Sequence, residues 1–392
     1  MKTKLKHLDY WLLVPFLLLV ATGIVMVYSA SSNVAVTQGL NNLVYLRRQV
    51  LFVLCGLILG GLAYLLKLDK LKSTKLIAGL LLLVVLLLLF LLVRRHFDPS
   101  SEINGASSWI KIGPINMQPL ELAKLILILY LAKIYSQRWF NFSQQGLRKF
   151  WHELWPPIIV AILIIFLTAL QPDLGGAAIL ATVLVLMSFA SGIDLKYVIV
   201  IGISLIALFT SVYFYFQKES LTLGHSSYQL RRLMAFYHPF ELEKSGGSQL
   251  VNSYYAINNG GLWGRGLGNS IQKLGYLPEP HTDFILAIIA EELGVIGVII
   301  ILTALFFLIA RIVYLGVLAP TVYLSLLSYG IAGVIFIQSF FNIGGMLGIL
   351  PITGVTLPFI SYGGSSIIIL SICMGIMLNV SINLRQSGKE TT

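Results

Sequence analysis

Apolar runs of about 20 residues, separated by short polar stretches, follow one another along most of this chain. A run of that length crosses a hydrocarbon layer about 30 Å thick when it folds as a helix. The pattern predicts ten such helices, near residues 9–30, 47–66, 74–94, 119–136, 154–171, 174–191, 197–217, 283–312, 321–341 and 363–384. The first run follows Met1-Lys-Thr-Lys-Leu-Lys6 and ends on Tyr28-Ser29-Ala30-Ser31, as a secretory signal does at its cleavage site. Its apolar stretch of about 18 residues exceeds the ~7–15 of a signal core, so it reads as an uncleaved first helix. Residues 218–282 are too polar to span and too short for an independent enzyme domain, so they must fold against the bundle. Their tyrosines, Trp263 and glycine pairs suit short amphipathic pieces in the interface.

Composition agrees with that pattern. Of 392 residues, 57% are hydrophobic and 11% charged, with a mean hydropathy of +0.87, beyond what a water-soluble domain carries. The expected fold class is an all-α integral membrane protein, one polytopic domain over 1–392, and a large soluble catalytic domain is excluded. A net charge of +11 would point a soluble chain towards nucleic acid. Here no nucleic-acid partner is expected, because the cations sort by side. With the N-terminus cytoplasmic, Lys2, Lys4, Lys6, Lys67, Lys70, Lys72, Lys75, Lys133, Arg138, Arg148, Lys149, Lys196, Arg311, Arg385 and Lys389 share that side. Only Arg47, Arg48, Arg94, Arg95 and Lys111 fall in the short outer loops. This bias predicts both termini in the cytoplasm and one large extracytoplasmic loop, 218–282, between helices 7 and 8. Cys55 and Cys373 both lie in apolar runs and support neither a disulfide framework nor a metal site.

Ionisable residues at membrane depth are costly and are functional candidates unless pairing explains them. Glu121 and Lys124, three apart near the outer end of the fourth helix, share one face, as a structural ion pair or a functional one. Asp173, in Gln171-Pro-Asp-Leu-Gly-Gly176, is placed to cap the sixth helix. By position alone Asp283 is also a cap, opening the eighth helix. Glu291 and Glu292 lie two turns further in, beyond the reach of a cap, and must face protein, water or a partner cation. His281 reads as a hydrogen-bonded surface residue, with no second histidine at metal spacing. The glycine- and proline-rich block 342–366 predicts a re-entrant or closely packed loop. The helix after Tyr362-Gly-Gly-Ser-Ser366 offers free N–H groups to an anion. Most candidates gather at the outer leaflet, which suggests a polar pocket open to lipid for a long-chain substrate with an anionic head group. A transporter would place its site at the midplane between duplicated halves, and no duplication is found.

The ordered set Tyr28-Ser-Ala-Ser-Ser32, Asn104-Gly-Ala106, Gln118-Pro-Leu-Glu-Leu-Ala-Lys124, Gln171-Pro-Asp-Leu-Gly-Gly176, Tyr228-Gln-Leu-Arg-Arg232, Pro278-Glu-Pro-His-Thr-Asp-Phe284, Glu291-Glu-Leu-Gly294 and the 342–366 block resembles the SEDS family (shape, elongation, division and sporulation) over essentially the whole chain. Within the family, Met26-Val-Tyr-Ser-Ala-Ser-Ser32 and Gly354-Val-Thr-Leu-Pro358 look more like the division branch than the elongation branch, which usually has a second proline in the latter motif.

The resemblance implies a peptidoglycan glycosyltransferase that polymerises lipid II at the outer leaflet of the bacterial plasma membrane, at the division septum. Its implied partners are a class B penicillin-binding protein and other divisome membrane proteins. On the matching positions Asp283 takes the family's essential carboxylate and Lys124 its buried basic partner, with Glu121 in the same motif. Family members use a divalent cation, so Mg²⁺ or Mn²⁺ at Asp283 is implied. Where the family commonly has a basic residue before the tryptophan, this chain reads Ser107-Ser108-Trp109, so phosphate contacts fall to Lys111, Arg231 and Arg232. Trp109, Glu279, His281, Ser365 and Ser366 complete the expected substrate site. Lys124 has two candidate tasks: neutralising the pyrophosphate, or holding Asp283 ionised and oriented. The competing readings are an elongation-type polymerase, a lipid II flippase and a non-enzymatic divisome scaffold.

Overall fold

The structure, a computed structural model, describes residues 8–97, 108–112, 115–138, 147–223, 228–243 and 246–386. Asn104 and Ser107 lie outside the described residues, as does the side chain of Arg231. The long helices are α1 (Tyr10–Thr37), α2 (Val44–Leu65), α3 (Thr74–Phe97), α4 (Pro119–Arg138), α5 (Leu147–Ala169), α6 (Leu174–Ala190), α7 (Leu195–Leu223), α10 (Ile285–Leu318), α11 (Val322–Met346) and α12 (Gly364–Gln386). Two shorter ones, α8 (Tyr228–Tyr237) and α9 (Ser248–Gly260), belong to the segment between α7 and α10. A two-stranded antiparallel hairpin, β1 (Ile110–Ile112) and β2 (Ile115–Met117), leads into α4. Among the described residues seven helices are long and apolar enough to cross a membrane, and two shorter stretches, Leu154–Ala169 and Leu174–Ala190, are also apolar. The charges of α4 that make it a functional candidate also keep it off the purely apolar set.

Helix α1 runs antiparallel to α10, and two polar latches hold the pair. At one end Asp9 accepts hydrogen bonds from the Arg311 guanidinium, at 2.8 Å from Nη2 and 3.1 Å from Nε, while also capping α1 through the Trp11 amide. Towards the other end Ser29, Lys273 and Glu292 form a buried cluster, with Lys273 Nζ 2.6 Å from Glu292 Oε1. Twenty residues of α1 separate Asp9 from Ser29, about 30 Å at helical rise. Glu292 thus has the partner cation that its depth required. Lys273 lies in the long loop, so the latch also ties that loop to the bundle.

The eighth predicted span is not one continuous helix. Gly294, at φ 72° and ψ 179°, breaks α10, and every residue from Ile285 to Glu292 is buried. The break takes main-chain groups out of the helical ladder, and the loop after α9 supplies their partners. The amides of Val295 and Ile296 donate to the carbonyls of Gly261 and Leu262, and the carbonyls of Glu291 and Glu292 accept from the amides of Arg265 and Gly266. Glu291 reaches back into the same loop, accepting from the Ser270 hydroxyl, the Asn259 amide and the main-chain amides of Ile271 and Gln272. The 342–366 block packs just as closely. A Cβ on Gly23 of α1 would come 2.6 Å from the Phe359 carbonyl oxygen, so only glycine admits the loop there.

Candidate active site

The site forms where the segment before α10, the end of α11 and the loop 347–363 meet. Asp283 does not cap α10, contrary to the reading by position. The cap residue is Phe284, with no side-chain bond, and the Asp283 carboxylate accepts instead from the Thr282 hydroxyl at 2.9 Å. Its main-chain carbonyl accepts from Asn342 Nδ2 at 2.7 Å, and the same amide group donates to the Val355 carbonyl, which fixes the acid against the loop. Asp283 is 9% exposed, and burial pushes its carboxyl up to about 6. Arg232 pulls it down, and Glu279 pushes it further up. A carboxyl that titrates near neutral pH suits general-base chemistry.

Glu279 stands at positive φ (52°) in the Pro-Glu-Pro-His turn, and Thr282 Oγ1 lies 3.0 Å from its carboxylate. One hydroxyl therefore faces two carboxylates and donates to only one at a time. His281 is not the surface residue expected. It is buried, packed against the rings of Tyr45 and Tyr362, and its carbonyl accepts from the Tyr362 amide at 2.9 Å. Burial lowers its pKa against the pull of Glu279, which keeps the imidazole neutral at pH 7. Arg232, on α8, reaches the loop from the other side, with Nη1 3.3 Å from the Ile352 carbonyl.

Glu121 and Lys124 form a buried ion pair at 2.8 Å. The second partner of Lys124 is Gln338, 2.9 Å away on α11, whose amide nitrogen donates to the Thr356 carbonyl and lies 3.4 Å from the Ser366 hydroxyl. The charges acting on Asp283 are those of Arg232 and Glu279, whereas the charge of Lys124 acts on Asp173. Lys124 thus reaches Asp283 indirectly, through Gln338 and the loop that Asn342 also holds. Asp173 caps α6 at the Gly176 amide, 2.8 Å away, and accepts from Gln118 at 3.0 Å. The main-chain amide of Gln118 donates to the Ser365 hydroxyl at 3.2 Å. Trp109 is partly buried and Lys111 exposed on the hairpin that leads to Gln118. No described hydrogen bond or ion pair joins either to Asp283. Gln338 and Lys273 were not singled out from the sequence, although a glutamine amid the apolar run of α11 carries the same cost argument as an ion.

For a cation, the oxygens of Asp283 and Glu279 are hard donors brought together by Thr282. Among the described residues no three His, Cys, Asp or Glu side chains cluster as a complete metal cage. Two carboxylates fit Mg²⁺, which is typically held by one or two of them together with substrate phosphates.

Fold and site together define a multi-pass helical membrane protein with a buried carboxylate between an arginine and a tightly packed loop. The chain belongs to the FtsW/RodA/SpoVE family, described as cell cycle proteins, whose model matches residues 10–386. It is 41% identical to the "Probable peptidoglycan glycosyltransferase FtsW" of Bacillus subtilis, over 100% of this chain and 94% of that protein. It is 40% identical to the protein of the same description from Lactococcus lactis, over 96% and 93%. Among solved structures it resembles a chain described under structural coordination of polymerization and crosslinking by a peptidoglycan synthase complex. There the TM-score is 0.72 and the identity 29%, over 97% of this chain and 99% of that one. It also resembles the rod shape determining protein RodA of Thermus thermophilus, with TM-score 0.66 and 29% identity over 96% and 97%.

Proposed function

We propose that this chain is a peptidoglycan glycosyltransferase that polymerises lipid II, with Asp283 as its general base. The observation that carries the reading is the buried Asp283 carboxyl, free of any capping duty and raised to about 6 beside Arg232. The acceptor sugar hydroxyl attacks the anomeric carbon of the donor. Its proton passes to Asp283, a new glycosidic C–O bond forms, and the bond from the anomeric carbon to the pyrophosphate oxygen breaks, releasing polyprenyl pyrophosphate. Arg232, with Arg231 and Lys111, balances the charge growing on that leaving group. Ser365 and Ser366 at the start of α12, with Trp109, His281 and Glu279, line the head-group region. The Glu121–Lys124 pair holds the loop that positions Asp283. Asp283 and Glu279 would hold Mg²⁺ or Mn²⁺, which when bound supplies charge neutralisation at the pyrophosphate.

The same proposal includes ten spans with both termini cytoplasmic, residues 218–282 outside, and work at the septum beside a class B penicillin-binding protein and other divisome proteins. Ten long helices among the described residues, α1 to α7 and α10 to α12, support the span number, and the cation bias supports the orientation. Polymerisation of lipid II by the purified full chain, with and without the transpeptidase, is the test. Asp283→Asn should fold and lose nearly all glycan product. Normal product from that variant sinks the assignment, and lipid translocation in sealed vesicles without chain growth favours a flippase.

A further inference from the structure

A cavity of about 410 Å³ opens at the end of the bundle opposite Asp283, between the last turns of α4 and the first turn of α11. Lys72, Lys133, Ser136, Gln137, Thr321 and Tyr323 line it. Lys133 is 6% exposed, and its ammonium donates to the hydroxyl of Thr74, a neutral acceptor. The other two buried lysines each have a carboxylate: Lys124 has Glu121 and Lys273 has Glu292. Lys133 has none within ion-pair distance among the described residues, and a buried charge left in that state is strongly unfavourable.

The surroundings add positive potential. Lys72 sits 5.3 Å from the centre of the Tyr323 ring, and its contact with Asp69 is long, 3.5 Å, to a carboxylate whose side chain is 91% exposed. Such an exposed pair is weak and yields readily to a better-placed anion. Helix α11 begins at the cavity. Thr321 caps it through the Leu324 amide, which leaves the amides of Val322 and Tyr323, both in the wall, without an intrahelical acceptor. Helix α3 starts beside it at Thr74. Two lysines, one buried with no counter-charge among the described residues, therefore converge on a cavity at the end of membrane-spanning helices.

We propose that this cavity binds a phosphate-bearing anion, either the phosphodiester of an acidic phospholipid or inorganic phosphate, with Lys133 as the buried counter-charge and Lys72 at the rim. Basic pockets between spanning helices are suited to acidic head groups, because the phosphate enters from the interface while its chains stay in lipid. The test uses the full chain in phosphatidylcholine nanodiscs. Phosphatidylglycerol is titrated in, or inorganic phosphate is added at constant ionic strength, and the readouts are lipid retained in native mass spectrometry and the thermal midpoint. Phosphatidylglycerol should be retained and raise the midpoint. Lys133→Gln, which keeps a donor for Thr74 without the charge, should weaken retention about tenfold. Lys133→Arg should preserve it, and Lys196→Met, an exposed lysine at the same end, should leave it unchanged. A midpoint shift with phosphate alone would make the soluble anion the ligand. Equal retention and equal shifts in wild type and Lys133→Gln, or no response to either probe, overturn the proposal. Should Lys133→Gln fail to fold, Lys72→Met decides in its place, since loss of the rim charge must also weaken the response.

Discussion

At the residue scale the site is a balance on one carboxyl. Burial and Glu279 raise Asp283, while Arg232 and the Thr282 hydroxyl lower it, and the outcome is about 6. A general base acts when unprotonated, so turnover should be present above that value and fall as pH drops through it. Initial rates of lipid II polymerisation between pH 5 and 8 would show the limb. Arg232→Gln should move the limb to higher pH, because a charge that favours the carboxylate is lost. Glu279→Gln should move it lower, because a repelling charge is lost. A limb that stays put in both variants would mean that another group is titrating. Asp283, Glu279 and Arg232 were all legible in the sequence as members of polar motifs. Their mutual electrostatics were not, since position made Asp283 a helix cap and the family resemblance placed Lys124, not Arg232, beside it. Chain spacing carries no information on which of two distant cations a loop will deliver. The capping role of Asp173, by contrast, depends only on the next three residues, and it was readable.

At the element scale the telling departure is the break in α10. Apolar periodicity continues through Gly294 without interruption, so the pattern predicted one helix where the backbone makes two. Glu-Glu-Leu-Gly was visible as a motif, but its meaning lies in groups 30 residues upstream. The carbonyls and amides freed around Gly294 are taken up by residues 261–266. Gly294→Ala should therefore be destabilising by roughly 1–3 kcal/mol from backbone strain alone. A Cβ there would also meet the Leu262 carbonyl oxygen at 2.3 Å, which adds to the loss. Thermal unfolding of the purified chain measures this, and a midpoint equal to wild type would show that loop and kink are not locked together. The ends of the other long helices fell within a few residues of the apolar runs, except where α1, α5 and α7 extend past the hydrophobic stretch into polar sequence.

At the scale of the whole molecule, the proposed catalytic site and the proposed anion site lie at opposite ends of the bundle axis. Asp283 and its loop occupy one end, and the basic cavity around Lys133 occupies the other. Helices α4 and α11 run between them, and Lys124 and Gln338 join the two helices near the Asp283 end. Polar sequence within spans was the readable part of this layout. The pairing of α1 with α10 was not, because Asp9 and Arg311 lie 302 positions apart in the chain. That pairing fixes a length. The Asp9–Arg311 and Lys273–Glu292 ion pairs work as the two jaws of a caliper about 30 Å apart, and the stretch of the two helices between them is held to that length. The protein should accordingly be tuned to one bilayer thickness, with glycan output greatest where the acyl chains match that gap and declining in both shorter-chain and longer-chain vesicles. A flat response across acyl lengths would show that the jaws slide.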